Sequence, residues 1–330
     1  MINIAVNTGP DYLKEYEHCN ELIVFGHNDL DMLGCMLNLE FKFPDVPKKY
    51  FHTNYANIVQ LTDEIIEYQK ANGNTHIVMP DVSFSDNKDS LRRIYNAFEK
   101  CTHIDHHLYP EGFWDEFPNM KVVWDKTKSA TKLCNEYLGN TGKNANLDKL
   151  TYIIDVYDLW QDKNPHFDTA QDLNNYFWKV DIEWVKNEII RGNYTLPRNY
   201  LDIVNKIHIE YIKAIESYEQ RNLIHRSKDT TVCFVNDWFN EIMIREMRQG
   251  KFYVIGVNTY GIVRVRINQD SPATSEQLNK LRLELTGTEN IGHMHAFTYK
   301  IKNQVDFNVI MEEVKKVTGA IERICGADVK

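Results

Sequence analysis

The chain has too few cysteines, too widely spaced, for either of their common structural uses. Six are scattered over 330 residues, at positions 19, 35, 101, 134, 233 and 325, with no Cys-x-x-Cys pair. This argues against a disulfide framework and a zinc ribbon, and reduced thiols of a cytoplasmic protein are expected. No apolar run approaches the roughly 18 residues of a membrane span, so no membrane partner is expected. The N-terminus lacks a basic segment followed by an apolar one, so a secretory leader is not expected either. There is no G-x-x-x-x-G-K-[ST] loop, no G-x-G-x-x-G fingerprint and no G-x-S-x-G elbow. Those absences argue against P-loop, dinucleotide-fold and α/β-hydrolase chemistry. Positive charge is also short: 38 basic residues face 47 acidic ones, for a net charge of −9. Indiscriminate duplex binding depends on positive charge and is not expected.

What remains is an ordinary globular composition, 43% hydrophobic and 26% charged, with enough chain for two cores. The charge is uneven. Residues 229–330 carry 13 basic and 13 acidic side chains, so the whole acidic excess lies in residues 1–228. A negative half rich in carboxylates is what divalent cations compensate. A neutral half with local Arg and Lys suits a phosphate-bearing substrate.

Residues 22–26, 76–80 and 101–104 are short apolar runs of buried-strand length, and a fourth strand is expected at 121–124. Helical spacing is read over 31–41, 55–71, 89–99, 130–138 and 147–160, and again from Pro165 to about Arg191. The alternation predicts an α/β N-terminal domain (1–198), with a mostly parallel sheet and helices on both faces. A long charged helix without Pro or Gly, from Tyr200 to about Arg226 within a connector at 199–228, is expected next. Strands at 231–235, 252–258, 262–267 and 296–301, with helices at 238–248, 275–286 and 307–325, predict a smaller α+β domain (229–330) on a mixed sheet.

The first three strands each run into ionisable residues. His27, Asp29 and Asp31 follow the first, Asp81 the second, and Asp105-His106-His107 the third. Strand ends are where open α/β sheets place their chemistry. Each piece has a plain alternative: a helix N-cap for Asp29, an Asx turn for Asp81, a surface turn for the histidine pair. Asp155 and Asp158 lie three apart on one predicted helix, where two acids usually make a solvated face. Together they form one candidate site. Carboxylate and imidazole donors without thiolates suit Mn²⁺ first, with Mg²⁺ as the alternative, and they are numerous enough for two ions. Asp105 can accept the second-nitrogen proton of a neighbouring imidazole and fix its tautomer.

The motif order resembles the DHH phosphoesterase superfamily. Gly26-His27-Asn28-Asp29-Leu30-Asp31 is similar to its first motif, with Met32 where a glycine is usual. Val78-Met79-Pro80-Asp81 resembles the second and Ile104-Asp105-His106-His107 the third. Tyr157-Asp158-Leu159-Trp160 resembles the fourth, with Asp155 as the other candidate. Ser129-Ala130-Thr131 resembles a small-residue helix start of the family. In the C-terminal half, Val263-Arg264-Val265-Arg266 resembles the arginine-bearing strand of the DHH-associated domain. Gly292 and His293 sit in what remains of its glycine-rich loop.

The resemblance implies a two-metal phosphoesterase. His27, Asp29 and Asp81 would hold one ion, and Asp31, Asp81, His106 and Asp158 the other. Asp105 would orient the histidines and His107 would face the substrate phosphate. Arg264, Arg266, Gly292 and His293 would bind the substrate. The two-domain plan resembles stand-alone nano-RNases, oligoribonucleases that also act as pAp phosphatases. The implied substrate is a short single-stranded oligonucleotide or a nucleotide, and a homodimer fits the family. A cyclic or linear dinucleotide phosphodiesterase is the alternative within the class. A non-catalytic nucleotide-binding protein on the same fold is the alternative outside it.

Overall fold

The computed structural model describes residues 16, 19–54, 56–73, 76–287, 295–301 and 306–328. The chain divides into two compact units, Met1–Val204 and Asn205–Lys330.

In the first unit, strands β1 (Leu22–His27), β2 (Lys48–Thr53), β3 (His76–Pro80), β4 (Lys100–Asp105) and β5 (Lys121–Trp124) form one sheet. Their order is β2-β1-β3-β4-β5 and every pairing is parallel. Among the described residues, seven α-helices lie wholly within this unit: α1 (Leu30–Lys42), α2 (Ile58–Asn72), α3 (Lys88–Ala97), α4 (Ala130–Tyr137), α5 (Ala145–Asp158), α6 (Phe167–Phe177) and α7 (Ile182–Arg191). Alternate strand residues feed two cores. Leu22, Val24, Val78 and Ile104 pack with Met32, Met36, Leu133 and Tyr137 from α1 and α4. Ile23, Phe25, Ile77 and Met79 pack on the other face with Ile65, Leu91 and Ile94 from α2 and α3. The chain steps from β1 out to β2 and returns to β3 on the other side of β1. That reversal leaves a crevice at the carboxyl ends of β1 and β3, the position where such sheets bind ligands.

Strand β2 is absent from the sequence-based expectation. Lys48-Lys49-Tyr50-Phe51-His52-Thr53 has no apolar run, because an edge strand pairs on one side only and tolerates lysine. The helical stretch after Pro165 is two helices. The break at Trp178–Asp181 ends in Asp181, whose side chain accepts from Trp184 N at 2.9 Å and caps α7.

Helices α1 and α4 cross at Gly34. A Cβ there would overlap the Thr131 hydroxyl and lie 2.8 Å from Thr131 Cβ. Thr131 cannot rotate away cheaply, since its hydroxyl donates to the Asp31 carbonyl at 2.6 Å. Gly34→Ala is therefore expected to destabilise by about 1–3 kcal/mol despite alanine's better helix propensity. Urea unfolding of the two proteins measures it.

The second unit holds β6 (Ile224–Arg226), β7 (Thr230–Phe234), β8 (Tyr253–Val257), β9 (Ile262–Ile267) and β10 (Ala296–Lys300) in the order β10-β9-β8-β7-β6. Only β7 and β8 pair in parallel, so the sheet is mixed. Helix α8 (Tyr200–Gln220) precedes β6, and α9 (Phe239–Arg248) lies between β7 and β8. Tyr253, Ile255, Val263 and Val265 form a core with α10 (Ser275–Thr286) and α11 (Phe307–Cys325). Helix α9 lies against the other face, where a Cβ on Gly256 would overlap the edge of the Phe239 ring.

Helix α8 is shorter than expected, and the division between units falls within it. Asn222 takes a left-handed conformation (φ 53°), and β6 follows at once. Asparagine replaces the glycine that usually marks such a stop, so the usual stop signal is missing from the sequence. Among the described residues no helix is long and apolar enough to cross a membrane.

Candidate metal centre

The carboxyl ends of β1, β3 and β4 deliver their ionisable residues to one place. His27 ends β1, and its Nδ1 lies 2.6 Å from Asp29 Oδ2. Asp29 also caps α1, its other oxygen accepting from Met32 N at 3.1 Å. Met32, the residue standing where the resemblance expects glycine, packs its sulfur into the space that a Cβ on Gly26 would need. The same Cβ would lie 2.5 Å from the Pro80 carbonyl oxygen, so Gly26 lets the tips of β1 and β3 close up.

Asp81 follows β3 directly and is 2% exposed. Its backbone is left-handed, with φ 50°, although it is not glycine. Two ladder bonds hold it there: its N–H donates to Ile104 O at 3.0 Å and its carbonyl accepts from His27 N at 3.1 Å. Strain of this kind persists only where the surroundings over-determine the conformation.

Asp31 sits in the first turn of α1. Its two oxygens accept from Ala130 N and Thr131 N, each at 2.8 Å. The small-residue start of α4 thus points two unpaired helix N–H groups at a carboxylate, where the helix dipole favours negative charge.

His106 is the hub. Its Nε2 lies 3.5 Å from Asp158 Oδ2, 3.6 Å from Asp81 Oδ1 and 3.8 Å from Asp31 Oδ2. Among the described residues, three groups of donor atoms, each within 4.8 Å of one another, could hold an ion: His27, Asp29 and Asp81; Asp31, His106 and Asp158; and Asp81, Asp105, His106 and His107. In the last group Asp105 is already committed. Its Oδ1 pairs with His107 Nδ1 at 2.7 Å and its Oδ2 accepts from the Tyr109 hydroxyl at 2.5 Å.

Burial and the neighbouring carboxylates push the carboxyl groups of Asp81 and Asp158 well above the usual range. Burial raises Asp31 too, with Asp29 adding to it against the pull of His106. Burial also opposes ionisation of Asp29 and Asp105, but facing imidazoles outweigh it. His27 brings Asp29 to about 2, and His107 with His103 and His106 holds Asp105 well below its usual value. Burial opposes charge on His107, and Asp105 more than offsets it. Asp81 Oδ2 and Asp158 Oδ2 are buried with no hydrogen-bond partner. Crowded carboxylates with unspent oxygens, and imidazoles beside them, are what divalent cations satisfy. The donor set fits a pair of hard or borderline ions.

Asp155 is not part of the cluster. Its carboxylate accepts from Ser129 N at 2.8 Å and pairs with Lys132 Nζ at 3.5 Å, stapling α5 to the start of α4. Asp155→Ala is expected to cost about 1–3 kcal/mol in thermal unfolding by orphaning a buried N–H. It should leave the Mn²⁺-induced rise in Tm intact, whereas Asp158→Ala should diminish that rise.

Arg264 and Arg266 share the β9 face opposite the second unit's core, each with its guanidinium 5.9 Å from the Phe239 ring centroid. Burial lowers the pKa of Arg264. Gly292 and His293 lie outside the described residues. Sequence reasoning missed Tyr109, and it missed Trp124, whose indole N–H donates to the His107 carbonyl at 2.7 Å. The available signal was a tyrosine four positions after Asp105, in a loop dense with aromatics.

No protein-family model matches the sequence, and a search of curated proteins finds no relative. Comparison with solved structures does find likenesses. RecJ from Thermus thermophilus in complex with Mn²⁺ is 14% identical with a TM-score of 0.61, over 97% of this chain and 56% of that one. A second structure, exonuclease RecJ bound to manganese, is 13% identical with a TM-score of 0.58, over 93% and 91%. PggH, a pGpG-specific phosphodiesterase from Vibrio cholerae, is 12% identical with a TM-score of 0.54, over 91% and 98%. This chain thus covers little more than half of the first of these. This chain shares the fold of these three structures.

Proposed function

We propose that the chain is a divalent-metal-dependent phosphoesterase that hydrolyses phosphoester bonds of nucleotides or short single-stranded oligonucleotides. The observation that carries this reading is the pairing of two donor groups, His27/Asp29/Asp81 and Asp31/His106/Asp158, linked by the 3.6 Å approach of His106 to Asp81. Two ions held by these residues would supply positive charge to a phosphoryl group and lower the pKa of water. The chain's own residues do the rest. Asp81, whose Oδ2 is buried with no hydrogen-bond partner, would be the shared ligand. Asp31 is held rigid by the start of α4, and Asp29 by its cap to α1. His107, about a quarter exposed at its side chain (26%), meets the substrate phosphate while Asp105 sets its tautomer. Arg264 and Arg266 of the second unit bind a phosphate or nucleotide, because the guanidinium fork matches phosphate oxygens.

Among the neighbours of the same fold, one is an exonuclease, RecJ, and another is a pGpG-specific phosphodiesterase, which supports a nucleotide-based substrate. The likeness to PggH over 98% of that chain favours linear dinucleotides as a second substrate reading. Manganese is the first choice of ion, as in two of those structures.

A substrate panel tests the proposal: dinucleotides to decamers, adenosine 3′,5′-bisphosphate, cyclic dinucleotides and pyrophosphate, with Mn²⁺ or Mg²⁺ and with EDTA. Metal-dependent turnover of a nucleotide substrate is the expected result. Nucleotide binding without turnover, and without a metal-induced Tm shift, would instead favour a non-catalytic protein.

A further inference from the structure

Asp105 spends each carboxylate oxygen on a different partner. Oδ1 takes the Nδ1 proton of His107 and Oδ2 takes the phenolic proton of Tyr109, at 2.7 and 2.5 Å. The Tyr109 ring is held among aromatic neighbours, 4.7 Å from both Phe113 and Trp114 and 5.9 Å from His103, centroid to centroid. Its oxygen also accepts from Phe84 N at 3.4 Å, so one hydroxyl ties the loop after β3 to the tip of β4. From the end of β5, Trp124 Nε1 donates to the His107 carbonyl at 2.7 Å. The backbone of His107 is thus fixed from one strand, and its ring is fixed through Asp105 by a loop residue.

We propose that Tyr109 and Trp124 are positioning residues that hold His107 in the orientation and Nδ1–H tautomer its reaction uses. The inference rests on the function proposed above for His107. Groups that orient an active imidazole commonly cost ten- to a hundredfold when removed. A structural role alone would weaken the fold equally whether or not His107 is present. A positioning role disappears with His107, because coupled residues are non-additive.

Tyr109→Phe is therefore measured in the wild-type and His107→Ala backgrounds, with Trp124→Phe as a second probe. We expect kcat to fall about tenfold or more in the wild-type background with KM little changed, and no further loss beside His107→Ala. The second measurement needs no turnover. In ¹⁵N-histidine-labelled protein with Mg²⁺, the His107 Nδ1–H resonance, identified by its loss in His107→Ala, should shift or broaden in Tyr109→Phe. An equal loss of kcat in both backgrounds, or an unmoved resonance, overturns the proposal. If wild type hydrolyses nothing in the panel, the proposed function fails, and the resonance alone decides whether Tyr109 orients His107.

Discussion

Asp81→Asn is expected to lower kcat/KM for the best substrate by about a thousandfold or more while leaving the chain folded. Asparagine is the informative change. It keeps the size of the side chain and tolerates the left-handed backbone that Asp81 adopts at φ 50°. Alanine at that position would add a backbone penalty and confuse loss of ligand with loss of fold. The expected loss is large because Asp81 belongs to the His27/Asp29 group and also reaches His106 at 3.6 Å. Removing its charge weakens both halves of the centre. The metal-free variant should be no less stable than wild type, since Asp29, Asp31 and Asp158 are the charges that Asp81 opposes. Kinetics with Mn²⁺, beside a thermal melt in EDTA, gives both numbers. Activity within tenfold of wild type would rule out Asp81 as the shared ligand.

Most of this centre was legible because each strand tip announces itself. Leu22–Gly26, His76–Pro80 and Cys101–Ile104 are short apolar runs that stop at ionisable residues, and parallel pairing brings such stops into line. The sequence could not separate Asp155 from Asp158. Both lie near the end of α5, and local spacing treats them alike. The choice is made by α4, whose start occupies Asp155 through Ser129 N while Asp158 Oδ2 approaches His106. Strands β2 and β6 were missed for a related reason. Both are edge strands, and Lys48-Lys49 and His225-Arg226 do not read as apolar runs. The aromatic loop after Asp105 hints at Tyr109, but its hydrogen bond to Asp105 and that of Trp124 to the His107 carbonyl exist only once the tips of β4 and β5 are folded.

Mn²⁺ is expected to raise Tm by about 5–10 °C at pH 8, with much less effect at pH 5. The sign follows from the buried carboxylates. In the metal-free folded chain Asp31, Asp81 and Asp158 titrate above the ordinary carboxylate value of 3.8, so they retain protons that the unfolded chain has already released. The folded state then binds more protons, and stability falls as pH rises from about that value through the raised ones. Asp29, at about 2, and Asp105 work the other way. Their contribution is present above 3.8 and is lost as pH drops toward the lowered values. The metal-free protein should therefore lose stability on both sides of a mildly acidic optimum. Cations reverse the alkaline limb, because they bind the deprotonated carboxylates and bind them more tightly as protons leave. Melts in EDTA and in Mn²⁺ from pH 5 to 8 should diverge steadily with pH, and in Asp81→Asn the divergence should largely close. Melting temperatures that coincide in EDTA and Mn²⁺ across that range would mean that the cluster binds no cation, and the phosphoesterase reading would fall with it.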